Sequence, residues 1–171
     1  MLQPLLRFVH ISDTHLLRAG QTLDYASIAP EYDTFVRQVL ALPYDAAAAL
    51  QTLRDALTML PFVPDFILHT GDVAGQLATP EDYTSFRAAL DSLPAPLIYT
   101  PGNHDDAAAL QRFLLGQPPA LPFDHAHDFG GAQLVCLDST LPGAHAGHLS
   151  AAQLDWLAAQ RNDLQAPAVS L

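Results

Sequence analysis

No lysine occurs in this chain, and its seven basic residues are all arginine. Against them stand 18 Asp and Glu, for a formal charge of −11. Proteins that bind long nucleic acids neutralise phosphates with a basic stripe. None is present, so no nucleic-acid partner is expected. Cysteine is almost absent too: Cys136 stands alone, which excludes a disulfide within the chain. It lies in the apolar run Gln133-Leu134-Val135-Cys136-Leu137, where a small buried hydrophobe is the simpler expectation. No apolar run approaches the roughly 20 residues that cross a bilayer, so no membrane association is expected. Nor does a basic n-region followed by a cleavage site open the chain. Together these absences lead to the expectation of a cytoplasmic protein.

What is present suits a globular fold. Half of the 171 residues are hydrophobic and 15% are charged, enough for one domain that buries roughly 70% of its unfolded surface. Strand-like and helix-like segments alternate. Leu5 to Ile11 is a compact apolar run. Asp45 to Leu60 reads as a helix, with Leu50, Leu53, Leu57 and Leu60 on one stripe. Phe66 to His69 is a second buried strand. Thr79-Pro80 opens a helix as N-cap and first helical residue, and Tyr83, Phe86 and Leu90 share a face. Pro96 to Tyr99 is a third strand, a helix follows from about Asp106 to Leu115, and Gly131 to Leu137 is another strand. Ser150 and Gln153 form a capping box for a last helix. Residues 16 to 44 interrupt this pattern, with one further helix start at Ala29-Pro30-Glu31, and the segment from Ala166 to Leu171 looks like the opening of a strand. Alternation of this kind predicts an α/β fold on a largely parallel sheet, whose ligand crevice lies at the carboxyl ends of the strands.

Three polar clusters fall at those ends. Asp13 and His15 follow the first strand, one residue apart; in extended backbone their heads share a face and can grip one cation. Gly71-Asp72 follows the second, and Gly102-Asn103-His104-Asp105 the third. Glycine before each lets the chain turn sharply. Asp105 or Asp106 can cap the next helix, and Asp105 can orient His104. Of the other histidines, His10 and His69 read as core or near-site residues in apolar strands. His125, His127, His145 and His148 read as solvated loop residues, and His148 is not taken as a ligand despite its Gly147-His148 setting.

Each cluster alone is commonplace, but their order is specific. With Val9-His10-Ile11-Ser12-Asp13-Thr14-His15, Tyr99-Thr100-Pro101-Gly102-Asn103-His104-Asp105 and Leu137-Asp138-Ser139-Thr140-Leu141-Pro142-Gly143, the chain resembles the calcineurin-like metallophosphoesterase superfamily. Within it, the chain is most similar to the bacterial class III cyclic-nucleotide and glycerophosphodiester phosphodiesterases. The resemblance implies a four-layer α/β/β/α sandwich and two divalent or trivalent cations, Mn, Fe or Zn. It implies that Asp13 and His15 bind one metal, Asp72 bridges both and Asn103 binds the second. His104 would stabilise the transition state or help protonate the leaving oxygen. The implied reaction is hydrolysis of 3′,5′-cAMP or another small phosphodiester by a water activated between the cations.

The family pattern continues with a His-His-Pro type segment and a Gly-His-x-His segment, which residues 1 to 171 do not contain. The expectation is therefore one metallophosphoesterase domain lacking its C-terminal part, with an incomplete second metal site. An uncovered apolar sheet face would favour association, a homodimer included. The rival expectations are a non-catalytic, weakly metal-binding remnant or association module, and a nuclease of the same superfamily, which the acidity disfavours.

Overall fold

A computed structural model describes residues 6–16, 45–75, 78–129 and 132–162. The helix start at Ala29-Pro30-Glu31 and the strand-like segment after Ala166 lie outside the described residues, as does nearly all of 16 to 44. Three short strands, β1 (Phe8–Ile11), β2 (Phe66–His69) and β3 (Leu97–Tyr99), form a parallel sheet in the order β1-β2-β3. Helices α1 (Ala46–Thr58) and α2 (Pro80–Leu90) precede β2 and β3. This is the α/β class that the alternation implied.

The helix boundaries follow from caps. The Asp45 carboxylate accepts from the Ala48 N–H at 3.0 Å and starts α1, one residue inside the expected limit. Thr79 caps α2, and the Asp82 carboxylate reaches back to the Thr79 N–H at 2.7 Å. Pro80 takes the first helical position, where its missing N–H has no partner to lose. At the last helix, α4 (Ala151–Asn162), Gln153 and Ser150 exchange side-chain and backbone bonds as the capping box requires.

The helix expected from about Asp106 to Leu115 departs from its pattern. Asp106 caps it, but only Ala107–Ala109 is α-helical, and Leu110–Leu114 widens into a π-turn; together they are α3. The Leu115 N–H bonds the carbonyl five residues back, on Leu110, at 3.0 Å. Gln111 holds the widened turn: its amide donates to the Ala107 carbonyl at 3.1 Å and accepts from the Ala120 N–H at 2.8 Å. Leu110 and Leu114 are buried as expected, so the apolar face survives the change of pitch.

The sheet has two covered faces. One carries Ile67 and Tyr99 against Leu50, Leu57, Tyr83 and Leu110 from the three helices. The other carries Phe66 and Ile98 against Cys136 and Phe129, with Phe66 stacked between Phe8 and Phe129. This second cover is an antiparallel hairpin, β4 (His125–Asp128) with β5 (Gln133–Cys136). β5 was expected and β4 was not. His125 and His127, expected to be solvated in a loop, sit half-buried in β4. The His125 Nε2–H donates to the Tyr99 carbonyl at 2.7 Å, and His125 Nδ1 stands 2.9 Å from His127 Nε2. An imidazole thus satisfies a carbonyl at the edge of the parallel sheet that no neighbouring strand reaches among the described residues. His10 differs in the other direction. It is exposed on the edge strand β1 and bonds the Thr70 hydroxyl at 2.7 Å.

Cys136 is buried, and burial pushes its thiol up to about 11. Among the described residues no helix is long and apolar enough to cross a membrane.

Candidate metal centre

The chain continues parallel pairing past the ends of β1 and β2. The Asp13, His15 and Leu16 N–H groups donate to the Gly71, Asp72 and Val73 carbonyls at 3.0, 3.0 and 2.8 Å. This seam lays the Asp13–His15 loop alongside the Gly71-Asp72 loop. The expectation that Asp13 and His15 share a face because the backbone is extended is not met. β1 ends at Ile11, and both residues are left-handed, with φ of 54° and 39°; Asp72 is too, at 54°. For residues with a Cβ this conformation costs about 1–3 kcal/mol each, and it persists only where surrounding bonds over-determine it. Here the seam does so.

The third loop closes from the other side. A Cβ on Gly71 would stand 2.5 Å from the Gly102 nitrogen, and one on Gly102 would stand 2.5 Å from the Asp72 nitrogen. Both glycines are therefore required by backbone touching backbone. Asp105 fastens this approach. Its carboxylate accepts from the N–H groups of Gly102 at 3.0 Å, Ala74 at 3.1 Å and Val73 at 3.2 Å. The Tyr83 hydroxyl adds a longer contact at 3.4 Å and itself accepts from the Asp106 N–H at 3.0 Å. Burial raises the Asp105 carboxyl above its usual range, against the lowering by the three N–H bonds. Burial, then the neighbouring Asp105 charge, raises the Tyr83 phenol. The sequence offered Asp105 as a helix cap or an orienter of His104; it is neither. Asp106 supplies the cap, and Asp105 staples the second loop to the third.

These constraints bring Asp13, His15 and Asp72 together, with one ligand atom from each within 4.8 Å of the others. His15 Nε2 stands 3.8 Å from Asp13 Oδ1 and 3.9 Å from Asp72 Oδ2. Those separations exceed a hydrogen bond and leave room for a cation among the three heads. Two carboxylates and an imidazole suit borderline and hard cations such as Mn, Fe and Zn, so the donor set fits a metal.

His104 adjoins the group. Its N–H donates to Asp72 Oδ1 at 3.0 Å, leaving Oδ2 facing His15, and its Nε2 lies 4.0 Å from that Oδ2. The His15 and His104 rings meet edge to face at 5.4 Å. Burial lowers the His104 pKa, opposed by the Asp72 charge. Asn103 is placed differently: its side chain is exposed, and its Nδ2 lies 3.1 Å from Nδ1 of His145. His145, expected to be merely solvated, also stands 6.2 Å from the His104 ring. Only its place in a loop after β5 was visible in the sequence, which carried no sign of this contact. His148 is exposed, and its N–H bonds the Ser139 carbonyl.

The profile of the calcineurin-like phosphoesterase family matches residues 6–169. A probable cyclic nucleotide phosphodiesterase of Rhodococcus erythropolis is 33% identical over 165 residues, covering 94% of this chain and 48% of its own length. A cAMP/cGMP dual specificity phosphodiesterase of Mycobacterium tuberculosis is 34% identical, covering 88% of this chain and 43% of its own. A glycerophosphodiester phosphodiesterase of Enterobacter lignolyticus is 33% identical, covering 90% and 51%. The chain spans about half the length of these curated relatives. With a family match over almost its whole length and an Asp13–His15–Asp72 group suited to a cation, the chain belongs to the calcineurin-like phosphoesterase family.

Proposed function

We propose that this chain carries the metal-binding half of a phosphodiesterase that hydrolyses 3′,5′-cyclic nucleotides or other small phosphodiesters with two cations. The convergence of Asp13, His15 and Asp72, with His104 tied to the Asp72 carboxylate, carries this reading. Asp13 and His15 would hold one cation, Asp72 would face both, and the Asn103 amide oxygen would serve the second. Bound cations supply electrostatic stabilisation of phosphoryl oxygens and lower the pKa of water. The protein's part is positional. Asp72 is fixed by the His104 N–H, so one of its oxygens is committed and the other is aimed at His15. His104, with Nε2 4.0 Å from Asp72 Oδ2, would meet a phosphoryl oxygen or, once protonated, donate a proton from Nε2 to the leaving oxygen. The net charge of −11 favours a small substrate over a polynucleotide.

The test is hydrolysis of bis(p-nitrophenyl) phosphate and 3′,5′-cAMP, with Mn supplied, by a version extended through the downstream open reading frame, beside Mn calorimetry on the same protein. Turnover lost in Asp72→Ala and His104→Ala supports the proposal; Mn bound without cleavage of any diester overturns it. A second reading, weak metal binding without catalysis, rests on two observations. Among the described residues only one group of three His, Cys, Asp or Glu ligands converges, and the Asn103 side chain is exposed. Binding of a single weak ion per chain, with no turnover, favours that reading.

A further inference from the structure

His69 is the last residue of β2, fully buried, and no step of the proposed chemistry uses it. Its neighbours in the strand, Phe66, Ile67 and Leu68, are apolar, and an apolar side chain would fill the same space without a polar atom to desolvate. The price of the imidazole is visible: Nδ1 is buried with no hydrogen-bond partner among the described residues, and a buried polar atom left unsatisfied is destabilising. The compensation lies at the other nitrogen. Nε2 stands 2.9 Å from the Thr14 hydroxyl, and that hydroxyl donates to the Val73 carbonyl at 3.2 Å. A hydroxyl has one proton, and a carbonyl only accepts. With the Thr14 proton directed at Val73, its oxygen accepts from His69, which fixes the proton of the neutral ring on Nε2. The Tyr99 ring, 5.9 Å away and near parallel, packs beside the imidazole.

The bonds run from β2, through the loop holding Asp13 and His15, to the loop holding Asp72. Thr14 lies between two residues in left-handed backbone. Its side chain is half-buried and turned towards His69 and Val73. We propose that His69 is a positioning residue for the metal-binding loop: its Nε2–H holds the Thr14 hydroxyl against Val73, and so keeps Asp13 and His15 in the strained backbone that aims them at Asp72. The ring stays neutral to do this. Burial lowers its pKa to about 4, ahead of the opposing Asp13 charge.

Part of the consequence, tighter metal binding, rests on the metal-centre reading of Proposed function; the loop geometry does not. The experiment therefore has two arms on the 171-residue chain. In the first, amide hydrogen exchange of Asp13 and His15 is followed by NMR without metal in wild type, His69→Leu, His69→Gln and Thr14→Val. His69→Leu and Thr14→Val should speed exchange at both amides by roughly tenfold, the size set by one hydrogen bond. The double variant should be no faster than either single one, because both remove the same link. Gln, which places an amide donor near the Nε2 position, should return most of the protection. In the second arm, Mn affinity by calorimetry should fall roughly 10- to 100-fold in His69→Leu and recover in His69→Gln. Unchanged exchange at Asp13 and His15 in a folded His69→Leu overturns the proposal. So does equal loss throughout the protein, which marks a merely structural residue. If His69→Leu does not fold, Thr14→Val, which keeps the side-chain shape, decides alone. Failure of wild type to bind Mn speaks against the metal centre and leaves the exchange arm to judge His69.

Discussion

Replacing Asp105 by alanine is expected to be among the most damaging single changes in this chain, although the residue need not touch substrate or metal. The carboxylate satisfies three backbone donors at once, on Gly102, Val73 and Ala74. Without it each donor is left unpaired at a cost of about 1–3 kcal/mol. Relief from burying the charge, which raises the Asp105 carboxyl, returns a part. Taking the low end of that range gives a net loss of about 3 kcal/mol, or a Tm lower by roughly 6–12 °C for a chain of this length. Asp105→Asn should lose about a third as much. With its amide group turned towards Tyr83, its carbonyl still serves Gly102 and Val73, and only the Ala74 bond and the long Tyr83 contact are given up. Thermal unfolding of the three proteins by circular dichroism at pH 7 without metal measures this. An alanine variant within about 2 °C of wild type, or an asparagine variant as damaged as the alanine one, refutes the staple. The pH dependence has a definite sign. The folded state holds the Asp105 proton more tightly than the unfolded state does. Wild type should therefore gain on Asp105→Asn as pH falls from the raised pKa towards the unfolded value.

Other consequences are open to direct measurement. Gly102→Ala forces a Cβ to within 2.5 Å of the Asp72 nitrogen, and Mn calorimetry should show at least a tenfold loss of affinity. His69 titrates at about 4 when folded and 6.5 when unfolded. The unfolded state takes up the proton first, so stability should fall by roughly 3 kcal/mol as pH drops from about 6.5 to 4. His69→Gln should flatten this part of the pH–stability curve, and an unchanged slope contradicts the assignment. Cys136, with its thiol at about 11 and buried, should react with Ellman's reagent at pH 8 only after denaturant is added: folded, about 0.1% is thiolate, and unfolding removes the burial that raises the pKa.

Local patterns of residues fixed the elements that local physics controls. Asp45, Thr79-Pro80 and Ser150 with Gln153 mark helix starts because a cap bonds atoms within three residues of itself. The apolar runs before Asp13, Asp72 and Asn103 mark strands because a sheet covered on both faces demands them. The order of the three clusters named the family for the same reason: parallel strands bring their carboxyl ends to one edge.

What the sequence could not supply depends on partners far along the chain. Asp105 binds groups 31 and 32 residues away, His69 reaches Thr14 across 55, and Asn103 meets His145 across 42. No periodicity encodes such pairings. Nor could alternation along an extended strand foresee that Asp13 and His15 aim correctly through left-handed backbone. That conformation is unfavourable for each residue alone and exists because the neighbouring loop supplies the bonds that hold it. Residue types and their order thus determined which groups can bind a cation, and tertiary contacts decided how those groups are held.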